Sequence, residues 1–304
     1  MKRRTFVKYS SATSLAAVLG HHLEKKELIK KTPYIDTLGI QLWTVREPLS
    51  KDPVNTLKAI KQAGYEQVET MSLSQMVSLK PILNDVGLKV RCSHVANQVI
   101  SGNWERLGLA KPENSKEDLI KLAVENELEH VTFAYWGVKE RQSLDDYKRL
   151  TTQLNIFGDL CNTAGLTFSY HNHSFEFIPM EDTTPYDILL SEVDEDKMKM
   201  ELDVFWCNIG GVSPIDLMTK LGDRIALLHL KDQAKGTSIQ YDESKVAPST
   251  YEEVGDGQLN FKSIIDLAVQ NKVDYCHVEQ DFSPDVLKSI VQSQNYLDDM
   301  KDMF

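Results

Sequence analysis

The chain has 304 residues, 41% hydrophobic and 26% charged, with a formal net charge of −11, a composition that suits one large globular core. The acid excess, with Lys and Arg scattered in short runs, excludes a nucleic-acid surface, because phosphate binding needs a concentrated basic face. Cys92, Cys161, Cys207 and Cys276 lack the spacing of a disulfide framework and read as buried free thiols.

The N-terminus differs from the rest. Met1-Lys2-Arg3-Arg4-Thr5-Phe6-Val7-Lys8 and the Ser/Ala-rich, mildly apolar stretch after it have the pattern of a twin-arginine export signal. The apolar part is too short for a stable membrane span. The expectation is an export signal and linker over residues 1–31, delivery to the periplasm, and a catalytic domain over residues 32–304.

Strands and helices then alternate. Residues 38–43 read as the first strand, and Asp52-Pro53 opens a helix whose Val54, Leu57, Ile60 and Ala63 recur at helical spacing until Gly64 stops it. Residues 66–69 form a strand, 73–86 a helix closed by Gly87, and 88–95 a strand ending near His94. The Asn- and Gly-containing connection over 96–115 reads as a loop that shapes a pocket. A helix at 116–126, a strand at 130–135 and a long helix over 144–164 lead to the strand 166–173, which stops in Tyr170-His171-Asn172-His173. Beyond it come a helix (186–193), a strand (198–203), a helix opened by Pro214, a strand (225–230), a polar loop, a helix (261–270), a strand (273–279) and a last helix from Pro284. Eight strands each followed by a helix predict a single (β/α)8 TIM barrel, α/β in class, whose active face lies at the C-terminal strand ends.

Four successive strands finish there in metal-competent side chains: His171, Asp203, His229 and Glu279. A lone core histidine is usually only hydrogen-bonded, but four strand-end donors predict that these residues close around one divalent metal ion. Two imidazole nitrogens and two carboxylate oxygens suit Mn²⁺, Zn²⁺, Co²⁺ or Fe²⁺. The period of two along a strand puts His173 on the same side as His171, so either could be the ligand and the other a base. Lys231 follows His229 on the same face; it reads as a catalytic acid or oxyanion partner, or as a surface lysine. Glu69 and His94 end the second and third strands and are candidate substrate or supporting groups, as is Glu176. Trp43, Trp136, Phe205 and Trp206 lie near strand ends; Trp43 and Trp206 are the candidates to stack on a sugar ring.

The motifs Gly39-Ile40-Gln41-Leu42-Trp43, Tyr170-His171-Asn172-His173, Glu201-Leu202-Asp203-Val204-Phe205-Trp206, His229-Leu230-Lys231-Asp232, Val254-Gly255-Asp256-Gly257 and Val278-Glu279-Gln280-Asp281 resemble the xylose-isomerase-like barrel superfamily. Within it they are most similar to proteins of the sugar phosphate isomerase/epimerase type, from about Leu38 onward. The resemblance implies a metal-dependent sugar isomerase or epimerase acting through an enediolate on a small-molecule carbohydrate. It places the ligands on the last four strands, with His171 where ketose epimerases carry a glutamate. In those enzymes that glutamate and the one on the eighth strand move the proton on opposite faces of the substrate. A histidine there weakens a symmetric two-carboxylate epimerisation, leaves His173 or Glu279 as the base, and brings forward elimination from a keto-sugar or 3-keto-glycoside. His229-Leu230-Lys231-Asp232 is also similar to inosose dehydratases. Phosphodiester cleavage of the endonuclease IV type needs further His/Asp ligands and a basic face, which the strand ends do not offer. A non-catalytic sugar-binding barrel is the other reading, and the composition neither requires nor excludes a homo-oligomer.

Overall fold

The computed structural model describes residues 37–301, so the export signal expected over residues 1–31 lies outside the described residues. The strands, in chain order, are β1 (Gly39–Gln41), β2 (Gln67–Thr70), β3 (Lys89–His94), β4 (His130–Phe133), β5 (Thr167–His171), β6 (Lys199–Asp203), β7 (Ile225–Leu230), β8 (Asp232–Gln233), β9 (Tyr251–Glu252) and β10 (Tyr275–Val278). Eight of them, all but β8 and β9, pair in parallel and close into a barrel in the order β1-β10-β7-β6-β5-β4-β3-β2. The expected (β/α)8 barrel is therefore the observed fold.

Local chemistry starts and stops its helices. Asp52 accepts the N–H of Asn55 before Pro53–Ala63, and Gly64 ends that helix in the left-handed region, where a side chain would be strained. Ser72, Ser143 and Ser213 cap Leu73–Val86, Leu144–Thr163 and Pro214–Leu221 in the same way. Ser115 and Asp118 form a reciprocal capping box at Lys116–Glu125. The apolar faces of these helices, and of Phe261–Gln270 and Val286–Asp299, cover the outside of the barrel, where Leu57, Ile60, Leu83, Leu154, Phe157, Ile264 and Ile290 join one buried cluster.

Some local features differ from the sequence expectation. The strand expected over 166–173 stops at His171, because Ser174–Phe177 turns into a 3₁₀ helix. Between the strand ending at Asp203 and the helix opened by Pro214 lies a further helix, Val204–Ile209, started by the Asp203 carboxylate, which accepts the Trp206 N–H at 2.8 Å. The connection over 96–115 contains a short helix, Asn97–Ser101. The polar loop after β7 carries the antiparallel pair β8–β9.

Inside the barrel the filling is polar. Gln41, Gln67, Glu69, Thr132, Ser169, Glu201, Asp203, His229 and His277 are all essentially inaccessible, where branched aliphatics usually form the layers of such a barrel. Gly39 makes room for one of them, because a Cβ there would collide with the His277 ring and with Gln67. The four cysteines are buried and free. No helix among the described residues is long and apolar enough to cross a membrane.

Candidate active site

Strand register assembles the rim. Asp203 on β6 lies beside His229 on β7, and His277, two residues before Glu279, pairs with His229 from the other side. One donor atom from each of His171, Asp203, His229 and Glu279 lies within 4.8 Å of the others, and all four residues are buried. Capping the helix after β6 takes up Asp203 Oδ1, while Oδ2 and His171 Nδ1 have no hydrogen-bond partner. Asp203 Oδ2 faces the Lys231 ammonium at 3.2 Å, but the buried His171 Nδ1 lone pair is left unsatisfied, a cost that a cation shared with the carboxylates would remove. The residues present therefore fit a divalent ion in chemistry and in placement.

A fixed positive charge stands beside this set. Lys231 Nζ, fully buried, lies 3.2 Å from Asp203 Oδ2, 3.1 Å from Glu279 Oε2 and 2.5 Å from Asp281 Oδ2. Burial works against its charge, but Asp203, Asp281 and Glu279 together hold its pKa well above the usual lysine value. Glu279 Oε2 also meets His229 Nδ1 at 2.9 Å, so this carboxylate is held from two sides.

His173 occupies the mouth. Its ring stacks on Phe175 with centroids 5.1 Å apart, lies 5.3 Å from those of Trp206 and Tyr135, and 4.9 Å from that of His171. Nδ1 has no partner. Burial first, then His171 and Lys231, keep its pKa well below the usual imidazole value, so the ring is neutral.

One layer deeper the expected Glu69 and His94 join Glu201, which reading strand ends alone passed over. His229 Nε2 meets Glu69 Oε2 at 2.7 Å, and Gln41 Nε2 donates to the same oxygen at 2.8 Å. Glu201, two residues before Asp203, lies 3.4 Å from His171 Nδ1, 3.4 Å from His229 Nε2 and 3.6 Å from His94 Nε2. Burial opposes protonation of His94, but Glu69 and Glu201 push its pKa up to about 9. The alternation Glu201-Leu202-Asp203 was the available signal for this layer, since residues two apart on a strand share a face.

The remaining candidates separate by position. Trp206 is buried below Lys231, whose Nζ lies 5.0 Å from its ring centroid. Trp43 is 43% exposed; its Nε1 donates to Asp281 at 3.1 Å and the Arg46 guanidinium lies over its ring. Glu69 and Glu176, expected among substrate or supporting groups, are fully buried and are engaged by other side chains or backbone. Glu176 accepts from Tyr170 Oη and from the His173 N–H, each at 2.7 Å, and so supports the turn that carries His173. Trp136 is buried core. Asp232 faces away from the ion set: its carboxylate accepts the N–H groups of Gln233, Gly255, Gly257 and Leu259, and a Cβ at Gly257 would collide with it.

Comparison with known proteins agrees with this architecture. The family model described as xylose isomerase-like TIM barrel matches residues 57–299. An inosose dehydratase from Lacticaseibacillus casei is 26% identical over 164 residues, 51% of this chain and 54% of that protein. One from Clostridium beijerinckii is 26% identical over 136 residues, 43% and 45% of the two chains. The chain spans about half the length of the curated relatives it matches. Among solved structures, a sugar phosphate isomerase/epimerase from Parabacteroides distasonis superposes with a TM-score of 0.68 at 22% identity, covering 85% of this chain and 92% of the other. The probable 3-DHS dehydratase of Bacillus anthracis gives 0.65 at 15% identity, with coverage of 86% and 98%. A 3-keto-D-glucoside 4-epimerase from E. coli gives 0.60 at 14%, with coverage of 86% and 99%. At these identities the structural likeness establishes the fold.

Proposed function

Because the chain belongs to the xylose isomerase-like TIM barrel family, we propose that it is a divalent-metal-dependent enzyme that removes a proton next to the carbonyl of a keto-sugar and then expels a β-hydroxyl as water. The observation that carries this reading is the asymmetry of the rim. The His173 imidazole stands at the mouth, stacked on Phe175, while the Glu279 carboxylate is held by Lys231 and His229.

His171, Asp203, His229 and Glu279 would hold the ion, which would supply Lewis-acid polarisation of the substrate and so make the C–H beside its carbonyl acidic. The neutral His173 ring takes that proton, with Phe175, Trp206 and Tyr135 fixing it. The Lys231 ammonium, beside Asp203 and Glu279, stabilises the oxyanion that forms when the C–H bond breaks. Loss of the β-hydroxyl then forms the C=C bond, and the hydroxide leaves as water with the proton from His173. The dehydratase names among the relatives support this outcome over epimerisation, which needs a second base on the opposite face.

A second reading, return of the proton to the neighbouring carbon to give aldose–ketose isomerisation, uses the same single base. The expected twin-arginine signal adds the proposal that the enzyme works in the periplasm on unphosphorylated sugars. The test is a panel of keto-sugars, cyclic ketopolyols and 3-keto-glycosides with metal-loaded protein in deuterated buffer. Mass spectrometry should show exchange at the α-carbon with loss of water, and His173→Ala should slow it by about 10²–10⁴-fold. Wild-type rates in His173→Ala, or no exchange with any substrate, would refute the mechanism.

A further inference from the structure

We propose a second divalent-cation site inside the barrel, one layer beneath the rim, held by Glu69, His94 and Glu201. A donor atom from each lies within 4.8 Å of the others and of one from His229. Both Glu201 oxygens and Glu69 Oε1 are buried and accept no hydrogen bond, so three oxygen lone pairs are unsatisfied in a closed space.

Gln41 Nε2 meets His94 Nε2 at 3.1 Å, a contact that an ion on this nitrogen would displace, but the spacing between the donors themselves suits an ion. His94 Nε2 lies 3.6 Å from Glu201 Oε2, one of the unpartnered oxygens, too long for a charge-assisted hydrogen bond, and 3.5 Å from the Glu69 carboxylate at the oxygen that Gln41 and His229 engage. Donor atoms about 2.1 Å from a tetrahedral cation lie roughly 3.4 Å apart. Glu69 is oriented for this role: Gln41 and His229 engage its Oε2, which leaves Oε1 free.

Charge gives an independent argument. Among the described residues no Lys or Arg pairs with Glu69 or Glu201; their only ion-pair partners are histidines. Lys231 is offset by Asp281. Without metal, protonated His94 and His229 offset part of the buried charge of Glu69, Glu201, Asp203 and Glu279; two divalent cations would replace those protons and balance all four carboxylates with the imidazoles neutral, as ligation requires. The rim ion of the proposed function enters only through this balance. His229 lies between the two sets, Nδ1 toward Glu279 and Nε2 toward Glu69.

The test is Co²⁺ titration of the chelator-stripped full chain, with bound metal counted by elemental analysis and followed by the visible Co²⁺ spectrum. Wild type should bind two equivalents. Glu201→Gln and, separately, His94→Asn should bind one, with the thermal midpoint reporting that each still folds. Asp203→Asn should lose the other equivalent and keep the inner one. A single wild-type equivalent that survives Glu201→Gln and His94→Asn but is lost in Asp203→Asn would overturn the inner site and leave the rim reading standing. A single equivalent with the reverse pattern would support the inner site and remove the rim ion. Two equivalents in all the variants, or none in wild type, would overturn the proposal.

Discussion

At Glu176, burial outweighs every favourable contact. It pushes the carboxyl up to about 8, and the hydrogen bonds from Tyr170 and the His173 N–H offset it only in part. The folded protein therefore keeps this proton where the unfolded chain has lost it. The resulting stability is fully present below the unfolded value near 4.5 and is lost as pH rises to about 8. Glu176→Gln should remove this dependence, so its thermal midpoint relative to wild type should be higher at pH 9 than at pH 5; equal differences at both would refute the assignment. Lys231 is the opposite case, a buried cation held by Asp203, Glu279 and Asp281. Lys231→Met leaves those carboxylates unpaired and should cost about 3–5 kcal/mol in chelator-treated protein by urea unfolding. Added divalent ion should recover part of that loss, because it supplies the missing positive charge.

Single elements of this barrel are tied to one another by side-chain clasps at strand ends. Asp203 ends β6, starts the helix Val204–Ile209 and turns its second oxygen to the rim, so one residue sets both the chain path and a donor. Asp232 clasps the loop containing Gly255 and Gly257 through four backbone N–H groups. Asp232→Ala would leave these donors unsatisfied and should cost at least ~3 kcal/mol. Amide exchange at Gly255, Gly257 and Leu259 should accelerate well beyond that of the β5 amides; uniform acceleration would show that the clasp is not local.

For the whole molecule, the polar barrel interior implies a fold that is short of positive charge. Bound metal should therefore raise stability by RT ln(1 + [M]/Kd), about 2.7 kcal/mol at a hundredfold excess over Kd. Stripping with chelator should lower the thermal midpoint and readdition of Mn²⁺ or Co²⁺ should restore it. Identical midpoints with and without metal would contradict ion binding at either layer.

The amino-acid sequence by itself determined the alternation of strands and helices, and with it the barrel. That information is local: Asp52-Pro53, Ser72, Ser115 and Pro214 start helices, while Gly64 and Gly87 stop them. It also put His171, Asp203, His229 and Glu279 at strand ends, because a parallel barrel collects its C-terminal ends at one mouth. Only the tertiary structure decided which neighbours those residues have. That His229 lies between Glu69 and Glu279, that Lys231 sits among three carboxylates, and that Glu201 faces three imidazoles all depend on the stagger between strands. Stagger is set by packing between segments far apart in the chain, so no local pattern of residues encodes it.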